Sequence, residues 1–92
     1  MEQFVTSRDG TKIYARVDGT NDKGAPTVVF ANSLGSTIEL WEPVLPLLPP
    51  NLRFVRFDNR GHGRSAKLYA PELYTAPAMA RDAAAIIEHP ME

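Results

Sequence analysis

The chain of 92 residues contains no cysteine and has no excess of charge of one sign. The absence of cysteine excludes a disulfide framework, a thiolate zinc site and a cysteine nucleophile. Ten Lys and Arg residues oppose eleven Asp and Glu residues, so the formal net charge is −1. Such a balance gives no general attraction to nucleic acid or to an anionic membrane. The hydrophobic content of 43% is that of a small folded domain and not of a disordered tail.

Long hydrophobic runs are also missing. The longest uncharged stretch, from Pro26 to Ile38, is interrupted by small and polar residues, whereas a membrane span needs roughly 20 mostly apolar residues. The first residues, Met1 to Phe4, show no basic region followed by an apolar run, so we do not expect a signal peptide there. We therefore expect a cytoplasmic protein with neither a membrane nor a nucleic acid as its partner.

Strands of two kinds are predicted. Residues 4–17 are expected to form a hairpin, because the second arm alternates polar and apolar residues and the pair Asp9-Gly10 favours a tight turn. The run Thr27–Ala31 is continuously apolar, which predicts a parallel strand that is buried on both faces. Leu52–Phe57 is predicted to be a fourth strand.

Helices are predicted between and after these strands. One begins after Ser36 or Thr37, holds Ile38 to Leu45 and is limited by prolines. A second covers Ala78 to Glu88 and has one apolar face at helical spacing, made of Met79, Ala83, Ile86 and Ile87. Because buried strands alternate with helices, we predict an α/β layered sheet. The binding crevice should then lie at two loops that leave strand ends, residues 32–36 and 58–65.

The second of these loops carries the most specific motif in the chain. Asp58–Ser65 has the form D-x-R-G-x-G-x-S and follows a strand. Together with the segment Phe30–Gly35 and with Trp41, it resembles the amino-terminal part of an α/β-hydrolase, most closely the 3-oxoadipate enol-lactonase group. The resemblance runs from about Phe4 to about Ile87.

The resemblance implies an incomplete fold. Residues 1–92 would form one partial domain, the amino-terminal portion of an α/β-hydrolase sheet, in which an antiparallel hairpin is followed by parallel strands with helices. The fourth strand would lie between the second and third strands, which leaves the outer edge of Thr27–Ala31 open. Open edges of this kind pair with other chains. We therefore expect self-association or a complementing polypeptide as the partner at this edge.

The resemblance also implies a function, the hydrolysis of a small carboxylic ester or lactone by a serine that a histidine and an aspartate activate. No cofactor is implied. Leu34 matches the position whose backbone N–H donates to the oxyanion, and its small neighbours would let the substrate approach. The implied substrate-binding residues are Asn32, Ser33 and Gly35.

The chain departs from the family at one decisive feature, since the G-x-S-x-G motif of a nucleophile elbow is absent. We therefore expect half of an oxyanion hole, no lid and no triad, and no activity from the chain alone. Two alternatives stay open. The chain is a catalytically inactive truncated or partner-dependent α/β protein, or Ser33 in Ala31–Gly35 is a nucleophile that acts with Asp58 and with His62 or His89.

The remaining polar residues have structural interpretations. His62 lies between two glycines and is expected to belong to a structural turn, whereas His89 should be solvated. Asp58 should cap the turn that it begins, and Arg60 should donate to carbonyl groups of loops. Trp41 and Phe57 are expected in the core or in the wall of a pocket. No metal site is expected, because the two histidines lie far apart in the sequence.

Overall fold

The computed structural model describes residues 1–89, so residues 90–92 of the predicted domain lie outside the described residues. Four strands form one sheet in the order β1-β2-β4-β3. The strands are β1 (Glu2–Thr6), β2 (Lys12–Gly19), β3 (Thr27–Phe30) and β4 (Arg53–Phe57), and the single α-helix among these residues is α1 (Ala76–Glu88). β4 lies between β2 and β3, as the resemblance implied.

The hairpin and the pairing directions are confirmed. β1 and β2 are antiparallel, with a register that runs from Glu2 opposite Arg16 to Thr6 opposite Lys12. β2 is also antiparallel to β4, whereas β3 and β4 are parallel, with Val29 opposite Val55. The sheet therefore changes from antiparallel to parallel at β4, and β3 and β4 both point their carboxyl ends toward the predicted crevice.

The prediction that Thr27–Ala31 is buried on both faces is wrong for the described chain. The first two residues of β3 are exposed, and Val28 keeps 38% of its surface accessible. The reason is its place in the sheet, because within residues 1–89 only β4 pairs with β3. The expected open outer edge is thus present.

The predicted helix from Ile38 to Leu45 is replaced by two short 3-10 turns, Ile38–Trp41 and Leu45–Leu47. Their amides bond three residues back, as when the Leu40 N–H donates to the Thr37 carbonyl at 3.0 Å and the Leu47 N–H donates to the Val44 carbonyl at 2.9 Å. Pro43 and Pro46 lack the N–H groups that an α-helix would use here. The prolines were predicted only to limit the length of this helix, but they prevent an α-helix from forming here.

The second predicted helix is confirmed and begins two residues earlier, at Ala76. Thr75 caps it, since the side-chain oxygen accepts from the Ala78 N–H at 3.2 Å. The predicted apolar face is partly wrong, because Ile87 is 66% exposed. The buried positions are Ala78, Asp82 and Ile86, which lie four residues apart.

One apolar cluster joins α1 to the sheet and holds the strands in place. The strands β1, β2 and β4 and the helix α1 each contribute buried side chains to this cluster. Phe57 belongs to the cluster, as predicted. The buried members are Val5, Ile13, Ala15, Val55, Phe57 and Ile86. Among the described residues, no helix has the length and apolar character that crossing a bilayer requires.

Candidate active site

The two predicted loops meet at the carboxyl ends of β3 and β4. The Asn59 side-chain amide donates to the Asn32 carbonyl at 3.2 Å, and the Gly35 N–H donates to Nε2 of His62 at 2.9 Å. In open α/β sheets this edge is where ligands bind. The juxtaposition that the strand order predicted is therefore present.

A tight turn from Ser33 to Ser36 forms the tip of the first loop. The N–H and the hydroxyl of Ser36 both donate to the Ser33 carbonyl, at 3.3 and 2.6 Å. Gly35, the third residue of the turn, has φ +84°, which is the left-handed conformation that a type II turn requires there. Leu34 consequently occupies the second position, at the outermost point of the loop.

The backbone amide of Leu34 is available at this tip. Within residues 1–89, neither a backbone nor a side-chain acceptor bonds to the Leu34 N–H. The residue itself is 69% exposed. An amide that is fixed by a turn and unused inside the protein has the properties of an oxyanion donor.

Asn32 lies at the base of the same loop and is buried. Its Nδ2 donates to the Phe57 carbonyl at 2.8 Å, and its Oδ1 accepts from Nε1 of Trp41 at 2.6 Å. The Trp41 ring packs against Phe30, with ring centroids 4.8 Å apart. The Asn32 side chain therefore anchors the loop to β4 and to the first 3-10 turn, while Ser33, Leu34 and Gly35 form the exposed part.

His62 has both ring nitrogens bonded to the backbone. Because an amide only donates, Nε2 accepts from the Gly35 N–H, and because a carbonyl only accepts, Nδ1 donates to the Arg60 carbonyl at 2.9 Å. These partners assign the neutral form with its proton on Nδ1. The structural interpretation of His62 is confirmed, and neither nitrogen is available to act as a general base.

Asp58 caps the second loop, as predicted, and fastens it to the 3-10 turn that follows the first loop. One carboxylate oxygen accepts from the Ile38 N–H at 2.8 Å and the other accepts from the Arg64 N–H at 3.1 Å. A Cβ at Gly63 would lie 2.2 Å from Asp58 Oδ2, and Gly63 has φ +48°. Glycine at this place in the motif therefore makes room for the Asp58 carboxylate.

Arg60 is buried in a cluster of charges that the sequence interpretation missed. Its guanidinium donates to both oxygens of Asp82 at 2.7 Å and to Asp9 at 3.0 Å. The one carbonyl that accepts from it among the described residues is that of Leu73, in the 3-10 turn Pro71–Leu73, so carboxylates and not the predicted loop carbonyls are its main partners. The hydrogen bonds to Asp82 raise the pKa of Arg60. Hydrogen bonds from Thr11 and Arg60 lower the pKa of Asp9 to about 2.

Comparisons with known proteins find relatives that match most of this chain. No family model matches the chain. The chain is 39% identical over 87 residues to probable oxidoreductase EphD of Mycobacterium tuberculosis, which covers 95% of this chain and 14% of that protein. It is 38% identical over 62 residues to 3-oxoadipate enol-lactonase 1 of Acinetobacter baylyi, which covers 67% of this chain and 23% of that protein.

A solved structure has a similar backbone fold over most of this chain. The enol-lactonase from Burkholderia xenovorans LB400 superposes with a TM-score of 0.82 at 31% identity, over 94% of this chain and 32% of that one. The chain belongs to the α/β-hydrolase superfamily. It corresponds to the amino-terminal portion of the α/β-hydrolase fold and spans a third or less of the length of these relatives.

The turn that carries Ser33, the alternative nucleophile, does not have the geometry of a nucleophile elbow. An elbow serine sits on a strained turn, whereas among the described residues only glycines have positive φ. The Ser33 hydroxyl lies 3.3 Å from the Ser36 hydroxyl, and the nitrogens of His62 are already bonded. The strain that this alternative requires is absent from the described residues, and His62 has no nitrogen left to act as its base.

Two further expectations concern the second histidine and metals. His89 is half-buried and its N–H donates to the Ala85 carbonyl at 3.0 Å, so it ends α1 and is not the solvated residue that was predicted. In the part of the chain that the structure describes, no three His, Asp or Glu side chains form a group that could hold a metal ion.

A surface concavity of this α/β-hydrolase portion lies away from the two loops. It is found where β2 ends and β4 begins, and its lining includes Gly19, Lys23 and Arg53. We place the candidate site at the Leu34 turn instead, because the carboxyl ends of the parallel strands and the free amide lie there. The assignment of Leu34 to the oxyanion hole, and of Asn32, Ser33 and Gly35 to substrate binding, stays a prediction.

Proposed function

We propose that this chain supplies half of the oxyanion hole of a serine-type hydrolase that acts on small carboxylic esters or lactones, as 3-oxoadipate enol-lactonases do by name. The observation that carries the proposal is the free Leu34 N–H at the tip of a fixed turn. The similarity to enol-lactonases in sequence and backbone supports the substrate class. We place the protein in the cytoplasm.

The proposed chemistry assigns Leu34 a role in the transition state. A serine attacks the substrate carbonyl, negative charge grows on the carbonyl oxygen, and the Leu34 N–H donates to that oxygen. One such donor contributes about 2.7–4 kcal/mol to transition-state stabilisation. The exposed Leu34 side chain offers an apolar surface beside the reacting carbonyl. Water completes the reaction, so the mechanism requires no cofactor.

The nucleophile and its base must come from polypeptide other than these 92 residues. The sequence contains no G-x-S-x-G, and the described histidines are bonded elsewhere or lie at the end of α1. The open outer edge of β3 offers the attachment for such a polypeptide, since its backbone groups can extend the sheet. The domain formed by residues 1–92 is therefore proposed to be partial.

The absence of an elbow favours a second candidate, a catalytically inactive α/β protein that depends on a partner. In that case the same edge of β3 binds a second copy or another polypeptide, and the Leu34 turn contacts no substrate. The two candidates share the fold and differ in whether a nucleophile is brought to the Leu34 amide.

The test begins with the DNA that follows codon 92, read in all three forward frames. The proposal predicts a strand-like run followed by G-x-S-x-G. The chain and the polypeptide joined to that segment are then assayed with a phenyl ester and an enol-lactone. We expect hydrolysis by the joined polypeptide only, and its loss when the elbow serine becomes alanine.

Two outcomes would contradict the proposal. If no elbow sequence follows and the chain hydrolyses neither substrate, the partner-dependent protein is the better account. If the chain alone hydrolyses an ester and Ser33→Ala abolishes the activity, the nucleophile is Ser33. Ser36→Ala is the matched control, because it changes a neighbouring hydroxyl of the same turn.

A further inference from the structure

We infer that His62 is the positioning residue of the oxyanion donor, an inference that rests on the proposed function. Its neutral imidazole accepts the Gly35 N–H at 2.9 Å. That bond engages the Gly35 N–H, whereas the neighbouring Leu34 N–H has no acceptor among the described residues. His62 thereby holds the turn that carries the Leu34 amide and sets the position of that amide.

The turn from Ser33 to Ser36 makes few hydrogen bonds to the rest of the chain. Every other hydrogen bond made by residues 33–36 stays within the turn, as the contacts between Ser33 and Ser36 do. In the described part of the chain, the bond from Gly35 to His62 is therefore the only hydrogen bond that ties the turn to another segment. Without it, the tip is held only through its flanking residues, by Asn32 before the turn and by the Ile38 N–H to Asp58 after it.

The second nitrogen of the imidazole is also hydrogen-bonded, which fixes the orientation of the ring. Its Nδ1 donates to the Arg60 carbonyl at 2.9 Å, and the Arg60 side chain is locked by the buried carboxylate of Asp82. The carbonyl fixes the tautomer, because it requires the proton on Nδ1 and so leaves Nε2 as an acceptor. Hydrogen bonds thus connect α1 to Arg60, the Arg60 carbonyl to His62, and His62 to Gly35, the residue that follows Leu34.

A spectroscopic measurement on the full 92-residue chain tests the bond directly. In the ¹⁵N-labelled chain we expect a scalar coupling between the Gly35 amide nitrogen and His62 Nε2. We also expect an order parameter for the Leu34 amide near that of a rigid backbone, about 0.85, which falls below about 0.6 in His62→Ala. His62→Gln places an amide oxygen near the position of Nε2 and should restore most of the order. A folded chain without the coupling would overturn the inference.

A kinetic measurement on the joined polypeptide tests the consequence. We expect His62→Ala to lower kcat about 10- to 100-fold with little change in KM, because a misplaced donor weakens transition-state binding. His62→Gln should recover part of the loss, and His89→Ala, the other histidine, should change neither constant. An active enzyme whose kcat is the same in His62→Ala would overturn the positioning role.

The two measurements separate this inference from the proposed function. An inactive joined polypeptide contradicts the proposed function, while the coupling and the order of the Leu34 amide still report whether His62 positions the turn. If Leu34 stays equally rigid in His62→Ala, the inference fails whether or not the polypeptide hydrolyses esters.

Discussion

Arg60 and Asp82 form a two-point ion pair in which Nε lies 2.7 Å from Oδ2 and Nη2 lies 2.7 Å from Oδ1. Both residues are only 1% exposed. The Ser7 hydroxyl also donates to Asp82, at 2.5 Å. The pair joins α1 to the loop that carries His62, so the stability of the fold and the geometry of the Leu34 turn depend on the same contact.

Removing the carboxylate of this pair should be strongly destabilising. In Asp82→Ala the buried guanidinium of Arg60 loses its main partner, and breaking a buried pair from one side costs about 3–5 kcal/mol. Urea denaturation followed by far-UV circular dichroism measures the change in the free energy of unfolding. Glu88→Ala, at an exposed position of the same helix, is the control and should change it little. A loss below about 1 kcal/mol in Asp82→Ala would show that the pair is not the anchor.

The two glycines Gly63 and Gly10 separate backbone strain from steric clash. Both have positive φ, but a Cβ at Gly10 meets nothing within 4 Å, whereas one at Gly63 meets Asp58. Gly10→Ala should destabilise by about 1–2 kcal/mol, the cost of a left-handed conformation. Gly63→Ala should lose a further ~1–3 kcal/mol from overpacking. Thermal unfolding of the two variants gives the comparison, and equal losses would contradict the role assigned to Gly63.

Asp9 should make the free energy of unfolding depend on pH in the acidic range. Its pKa in the folded chain is lowered from 3.8 to about 2, so its contribution is complete above the ordinary value and is lost as the pH falls from about 4 to about 2. Asp9→Asn should therefore differ from the unaltered chain above pH 4 and converge with it near pH 2. The side chain is 40% exposed, so the difference should stay below about 1 kcal/mol.

Urea unfolding at a series of pH values measures this difference. Comparing the two proteins at each pH isolates Asp9 from the other carboxylates, which titrate in both. A difference that stays constant from pH 2 to pH 6 would mean that the contact with Arg60 does not lower the pKa of Asp9.

The open edge of β3 should drive self-association of the chain alone. A lysine on an edge strand opposes pairing with another chain, so Val28→Lys should lower the fraction of large species. Leu47→Lys is the matched control, because it adds the same charge at an apolar residue that is 82% exposed and lies outside the sheet. Sedimentation velocity at equal concentrations measures both. Equal effects of the two substitutions would point to general apolar contact and not to the edge.

The strands and the meeting of the two loops could be predicted from the sequence because their signals are local. The Asp9-Gly10 pair predicts the hairpin turn, and the D-x-R-G-x-G-x-S motif places Asp58 and Gly63 at a strand end. The strand order and the assignment of Leu34 came from the resemblance to α/β-hydrolases. The hairpin turn and the motif needed only a short stretch of residues.

The features that were missed depend on contacts between distant segments. Asp82 lies on the buried face of α1. From the sequence alone a charged residue in a helix is expected to face the solvent, and the contact with Arg60 that explains its burial is seen only in the structure. The contact between His62 and Gly35 joins residues 27 positions apart, and no spacing rule predicts it. The one available signal for Asp82 was its place four residues from both Ala78 and Ile86.

The central claim is that the Leu34 N–H stabilises the transition state of ester or lactone hydrolysis. The most direct test compares Leu34→Pro with Leu34→Ala in the joined polypeptide. Proline removes the N–H and is well accommodated at the second position of such a turn, whereas alanine keeps the N–H and removes only the side chain. We predict that kcat falls about 100- to 1,000-fold in Leu34→Pro and much less in Leu34→Ala. Equal kcat values in the two variants, both of them folded, would contradict the claim.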